Sequence, residues 1–459
     1  MKPISPLRFD AIAGYAREPQ SLFFAEEIGW YEHSNERVLG LLIRDRTDSD
    51  YGGLIFGRDQ RLRFRCVDVT GFDSRRRHAE VNLRRRMESA AAQSDAQFHQ
   101  GDETGSPIDF FTSVVSDERL NKSFVSLRNE EVFSAARGIV EPMMRWYDDV
   151  DGNFIEQFQT SGFDARIWEL YLFAAFREMG YGLDRVHKAP DFICVNPFVN
   201  FGVEATTVNP TRDAKGNVVA SPPTDTPDEI QAFLTNYMPI KFGSALTSKL
   251  AKRYWQQSHM TGLPLVFAVQ DFSAPQSMTW TRSAFEKYIY GYAHDWQRDA
   301  KGRLIIRPRK IVSHRWGSKE IPSGFFDLPD TENISAVIFS NSGTISKFNR
   351  MGVLAGFGSD RLRLTRVGTA ISHDPNASEP LRFIRRVNDP EYHETWREGL
   401  SIWHNPRAKL PLPPEFFPGI AHHRLLPDGL VQSMVPEWYP LGSFTIQTLE
   451  DKSSSGSPG

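Results

Sequence analysis

The stretch Ser161–Asn209 carries three carboxylates, Glu169, Asp191 and Glu204, at places where a packed helix and two core strands should carry none. Ser161 or Asp164 can cap the helix, and Ile167, Leu170, Tyr171, Leu172, Phe173, Ala174, Ala175 and Phe176 cover most of its circumference before Gly180 ends it. At about 100° per residue, Glu169 shares a face with Leu172, Phe173 and Phe176 and points toward the core or a cleft. A carboxylate in that position needs a partner or a metal. Pairing with Arg166 on the same helix is the plainer reading.

Two short runs follow, Asp191–Val195 and Phe201–Thr206, and read as paired strands joined by the Asn196–Asn200 loop. With so short a connection the pair is antiparallel, so Asp191, at the start of one strand, meets Glu204, late in the other. Two hard oxygen ligands at one edge suit Mg²⁺ or Mn²⁺ with water in the remaining positions. Asp191 can alternatively be a turn residue that binds local backbone amides.

Pro190-Asp191, about a dozen intervening residues and Glu204-Ala205-Thr206 resemble the PD-(D/E)xK nuclease superfamily, the restriction-endonuclease-like fold. The resemblance spans roughly Phe163 to Tyr292, and Glu169 matches the carboxylate that many members place on the first helix. It implies an α/β (α+β) three-layer core with a central mixed sheet, flanked here by a β-rich N-terminal region and an irregular C-terminal region. Thr206 departs from the pattern, because the family's lysine belongs there. In some members that lysine has moved to the next helix, which here offers Lys241, Lys249 and Lys252 in KFGSALTSKLAKRYW. Phe242, Ala245, Leu246, Leu250 and Tyr254 mark the inward face of that helix. Lys249 lies at its edge and is the candidate, while Arg253 falls near the centre and can offer a fixed charge but not a base. A lysine at such an edge is also commonly a snorkelling residue.

With 459 residues and 40% hydrophobic content, the chain has material for more than one core. Its net charge of −3 excludes wholesale coating of nucleic acid, so contacts with DNA must come from local basic patches. Cys66 and Cys194 sit in apolar runs and read as buried free thiols of a cytoplasmic protein. No segment has the length or apolarity of a membrane span.

The spacing predicts a β-meander over 36–70, then a helix bearing Arg75, Arg76, Arg77, Arg84, Arg85 and Arg86. Residues 1–120 form this first region, 121–160 a helical connection that packs against the core, 161–350 the nuclease-like core, 351–452 a C-terminal irregular and β extension, and 453–459 a disordered tail. Pro142 should kink the connecting helix. The polar insertion Asn209–Asp228 leaves the carboxylate edge and reads either as a loop placed to cover a substrate or as a disordered insertion with no role. PLVFAVQ, Pro264–Gln270, reads as the central buried strand. A helix is expected over Thr281–Trp296 and a hairpin from Ala336–Ser340 and Thr344–Phe348. His404, His422 and His423 lack the spacing of a metal site.

The expectation is therefore a Mg²⁺- or Mn²⁺-dependent nuclease acting on nucleic acid, DNA before RNA. Asp191 and Glu204 hold the metal, Glu169 anchors a metal-bound water or a second ion, and Lys249 stabilises or deprotonates the attacking water. Arg75, Arg76, Arg84, Arg85, Lys252 and Arg253 hold phosphates. The alternatives are an inactive nuclease fold kept for nucleic-acid binding or assembly, because Thr206 replaces the lysine, and a metal-free two-carboxylate hydrolase such as a glycosidase.

Overall fold

A strand that is apolar on both faces belongs where helices cover both, and Leu265–Asp271 is buried at all seven positions. The computed structural model describes residues 1–147, 149 and 152–451, and places this strand inside a mixed eight-stranded sheet. The tail expected at 453–459 lies outside the described residues.

In chain order, α1 (Pro6–Ala13) precedes β1 (Ala25–His33), β2 (Val38–Asp45), β3 (Tyr51–Arg58), β4 (Phe64–Val69) and α2 (Arg76–Ala91). The four strands form an antiparallel meander, with Lys2–Pro3 added at the β1 edge. Period-two alternation on β2 decides what covers each face. Val38 and Leu42 pack with Ala79, Leu83 and Met87 of α2, whereas Leu39 and Leu41 pack with Phe9 and Ile12 of α1. Ala11 of α1 also joins the main core, so α2 covers the face of the meander turned away from that core.

The core begins with α3 (Ser134–Trp146) and α4 (Phe163–Glu178), then β5 (Gly182–Asp184), β6 (Phe192–Val195) and β7 (Asn200–Val208). Next come α5 (Met238–Leu250), β8 (Leu265–Asp271), α6 (Arg282–Tyr290), the hairpin β9 (Tyr292–Arg298) and β10 (Leu304–Lys310), β11 (Ala336–Ser340) and α7 (Ile345–Leu354). The chain closes with β12 (Leu362–Ala370), β13 (Leu381–Arg386), β14 (Leu400–His404), β15 (Ala421–Leu425), β16 (Val431–Met434) and β17 (Pro440–Leu449). The large sheet runs β16-β15-β14-β11-β8-β7-β6-β5, and β13-β12-β17 form a separate three-stranded sheet. β7, β8 and β11 are mutually parallel, while β5, β6 and β7 are antiparallel neighbours. Val266, Ala268 and Ile338 pack toward α3 and α4, whereas Leu265, Phe267, Val269 and Phe339 pack toward α5 and α6. The result is a sheet with helices on both faces.

Several sequence expectations need correction. The helix expected over Thr281–Trp296 ends at Tyr290, because Gly291 takes a left-handed conformation (φ 73°) and turns the chain into β9. Trp296 matched the helical period by coincidence and projects, half exposed, from the hairpin. The hairpin expected around Asn341-Ser342-Gly343 does not form. Gly343 donates to and accepts from the buried Gln270 side-chain amide at 2.8 and 2.9 Å, and the chain continues into α7. The connecting helix α3, expected from Glu130, starts only at Ser134 after a short 3₁₀ turn at Glu131–Phe133 and includes Pro142. The C-terminal stretch expected to be irregular supplies β14, β15 and β16 to the large sheet. Cys194 is buried as expected, but Cys66 is exposed, and both are free.

The three-stranded sheet is tied to the core by charge. Glu394 accepts from Lys347 at 2.7 Å and Arg350 at 2.8 Å on α7, and Arg366 of β12 reaches Glu398 at 2.5 Å. These Lys, Arg and Glu394 side chains are essentially without solvent contact. The cations hold the Glu394 carboxyl well below the usual range against the cost of its burial. Glu394→Ala should therefore leave buried cations uncompensated and destabilise the protein by about 3–5 kcal/mol in urea unfolding.

Candidate active site

The candidate site forms where β6 stops short of β7. The register Phe192↔Val203 puts Asp191 across from Glu204. β6 begins only at Phe192, and Asp191 Oδ2 accepts the Ala205 amide at 2.7 Å in place of a further strand partner. Alternation along β7 turns Val203 and Ala205 toward α4 and leaves Glu204 on the α5 side.

Glu204 is only 4% exposed. Its Oε1 accepts from Lys249 Nζ at 2.5 Å and from the Tyr254 hydroxyl at 2.6 Å. Burial and the Asp191 charge push its carboxyl up to about 7, against the pull of Lys249 and Tyr254. Burial works against the Lys249 ammonium, but Glu204 and Asp191 outweigh it and hold its pKa above the ordinary lysine value. Lys249 is therefore a fixed cation here and not a base.

Glu169 approaches from the other face of the sheet, on α4. Arg166 Nη1 lies 2.6 and 2.8 Å from its two oxygens, and the Tyr147 hydroxyl donates to Oε2 at 2.8 Å. The intrahelical pairing weighed from the sequence is thus present. Burial and Asp191 raise Glu169 to about 7, against Arg166 and Arg185. Asp191 itself is raised, chiefly by burial, with Lys249 and the Ala205 amide working against the shift. The Arg185 guanidinium lies over the Tyr147 ring, 3.8 Å from its centroid.

The structure thus joins Glu169, Asp191, Glu204 and Lys249 in one electrostatic cluster. It does not bring the other expected residues there. α5 ends at Leu250, Arg253 adopts a left-handed conformation (φ 50°), and its side chain reaches Asp330 at 3.0 Å instead of the inward face. Lys252 is exposed beyond the same helix end, and Lys241 reaches Thr211 at 3.0 Å. Arg75, Arg76, Arg84 and Arg85 are exposed on α2, across the meander from the core, where Arg76 pairs with Glu80 at 2.9 Å. The insertion Asn209–Asp228 leaves β7 after Val208, four residues and about 13 Å beyond Glu204. Its Thr211 is held at the Lys241 end of α5, by Lys241 and Tyr237.

Sequence reasoning missed Tyr147 and Arg185 and treated Tyr254 as an apolar face marker. Tyr147 lies 22 positions from Glu169, and no spacing announces such a pair. Arg185 follows β5 in a segment without periodicity. Tyr254 opens a 3₁₀ turn after α5, so its hydroxyl reaches Glu204 by a route that a continued helix would not give.

Among the described residues, no group of three or more His, Cys, Asp or Glu side chains is arranged to hold a metal ion. Glu169, expected to anchor a metal-bound water or a second ion, has its oxygens hydrogen-bonded by Arg166 and Tyr147. Asp191 and Glu204 remain as a two-carboxylate pair, which suits Mg²⁺ because that ion keeps several waters and takes one or two protein carboxylates beside phosphate oxygens. A divalent cation would also offset the burial that raises both groups and the Asp191 charge that adds to the rise at Glu204.

A carboxyl raised from 4.5 to about 7 keeps its proton in the folded state after the unfolded chain has lost it. The stability this contributes is full below about pH 4.5 and lost as pH rises through about 7. Unfolding measured at several pH values without divalent cations should show that decline. Glu204→Gln should flatten it, gaining on the natural protein as pH rises through this window; parallel curves for both proteins would contradict the assignment.

Comparison of the chain with family models, with curated proteins and with solved structures finds no match.

Proposed function

We propose that the protein is a metal-dependent phosphodiester hydrolase that cleaves nucleic acid, DNA before RNA, on a restriction-endonuclease-like core of the PD-(D/E)xK kind. The observation that carries this reading is the convergence of the buried Glu204 with the partly buried Asp191 and Lys249. The Lys249 ammonium lies 2.5 Å from Glu204, although Thr206 stands at the strand position where the motif has its lysine. The order α4, β5–β7, α5, β8, α6 supports it further. Asp191 and Glu204 would hold Mg²⁺ or Mn²⁺. Bound there, such an ion lowers the pKa of a coordinated water and offsets charge on the phosphate.

The remaining steps belong to the chain's own side chains. Lys249 directs a fixed ammonium toward charge that builds on a phosphate oxygen. Arg166 and Tyr147 hold Glu169, whose carboxyl exchanges a proton near neutrality. Water adds to phosphorus as the bond to the leaving sugar oxygen breaks, so one product end carries the phosphate and the other a hydroxyl. No helix among the described residues is long and apolar enough to cross a membrane. We place the protein in the cytoplasm on its two free cysteines, Cys66 and Cys194.

A second reading is an inactive nuclease fold that binds nucleic acid, favoured by Thr206 and by the full pairing of Glu169. Cleavage of supercoiled plasmid and single-stranded DNA with Mg²⁺ or Mn²⁺ separates the two. The natural protein should cleave, Asp191→Asn should abolish cleavage, and Lys249→Ala should slow it about 10²–10³-fold. Absence of cleavage with either ion would favour the binding module. The ion should also raise the melting temperature at pH 8, reaching about 2.7 kcal/mol of stabilisation at a hundredfold excess over its Kd, and Asp191→Asn should lose that response.

A further inference from the structure

A cleft of about 560 Å³ opens where the N-terminal meander meets the core. Arg61, Arg63, Arg65 and Arg177 line it with Trp146 and Phe173, and Glu18 and Asp102 are the carboxylates among its lining. Asp59 fixes the arginine-bearing turn: its Oδ1 accepts the amides of Arg61 and Arg63 at 2.9 Å each, and its buried Oδ2 holds the Arg63 guanidinium at 2.7 Å. The guanidinium of Arg63 also lies 5.1 Å from the Trp146 ring centroid. Arg177 is anchored on the carbonyls of Tyr15 and Arg17, at 2.7 and 2.8 Å, with no carboxylate bonded to it among the described residues. Arg65 meets Asp102 at 2.5 Å, but that carboxylate is 62% exposed, so the pair is readily exchanged for a phosphate.

The cleft ends one helical turn from the carboxylates. Phe173 follows Glu169 by four residues on α4, and its ring lies 5.6 Å from that of Tyr147, the hydrogen-bond partner of Glu169. Leu183 lines the same cleft, and two residues further on Arg185 stacks over Tyr147. Arg185 Nε and Nη1 are buried and make no hydrogen bond among the described residues. A guanidinium with unmatched donors, within electrostatic reach of Glu169 and Asp191, is a group that an anionic ligand completes.

We propose that this cleft is the track along which a single nucleic-acid strand reaches the carboxylate site. Arg61, Arg65 and Arg177 hold its phosphates, Trp146 offers a face for a base, and Arg185 takes the phosphate at the junction. The proposal rests on the nuclease reading and names its substrate form. Guanidinium groups beside an aromatic face, here that of the partly buried Trp146, are the combination that binds single strands. The arginines of α2 lie across the meander and take no part.

The test is fluorescence anisotropy of a labelled single-stranded oligonucleotide with the full chain, in EDTA and over a series of salt concentrations, so that binding is read without cleavage. Arg61→Ser/Arg65→Ser should weaken binding at least tenfold and reduce the slope of log K against log salt by about 1.4, about 0.7 for each lost phosphate contact. Arg61→Lys/Arg65→Lys should restore the slope, which a merely structural effect would not do. Arg84→Ser/Arg85→Ser should change neither quantity, and the duplex of the same sequence should bind more weakly. Absence of single-strand binding, an unchanged slope in the Arg61/Arg65 double variant, a loss in the Arg84/Arg85 variant or preference for duplex would each overturn the track. If the natural protein still cleaves with metal in such a case, the nuclease reading stands alone; cleft-dependent binding without cleavage leaves the track standing and removes the nuclease.

Discussion

Ionising a carboxylate on a strand enclosed by helices is costly unless another charge answers it. Glu204 is in that position, and much of the surrounding architecture supplies the answer. α5 ends where Lys249 can reach Glu204, and the chain then tightens into a 3₁₀ turn that brings the Tyr254 hydroxyl to the same oxygen. On the other face, α3 ends at the residue before Tyr147, whose hydroxyl meets Glu169. Asp191 stands between the two faces and repels both glutamates, so neither is fully compensated by its own partners.

That incomplete compensation separates this cluster from the other buried charge network. Around Glu394, three cations face the carboxylate and hold it ionised, and the group serves to fasten a sheet. Around Asp191 the carboxylates outnumber the cations they touch directly, and Glu169 and Glu204 are both raised to about 7. Charge left over in this way costs stability and is what a bound cation or a proton relieves, which is why the first network reads as structural and the second as a site.

The N-terminal meander takes its place in the same logic. It presents two basic surfaces, and its own alternation pattern separates them. The α2 arginines face away from the core because Val38 and Leu42 turn that helix to the outer side, whereas Arg61, Arg63 and Arg65 come from the turn and strand that border the core. The density of arginine in the sequence pointed to α2, while proximity to the carboxylates belongs to the sparser group.

The sequence by itself determined the local features that follow from periodicity and spacing. These include the packed helix around Glu169, the antiparallel pair that opposes Asp191 and Glu204, the doubly buried strand β8 and the edge position of Lys249. Short-range geometry fixes such features, since a helix repeats every 3.6 residues and a strand every two. Tertiary structure alone decided what long loops bring together. Tyr147 and Arg185 come to the carboxylates, Thr211 of the Asn209–Asp228 insertion is held at the Lys241 end of α5, and C-terminal strands enter the large sheet. No local period encodes those meetings, because they depend on how apolar faces distant in the chain bury one another.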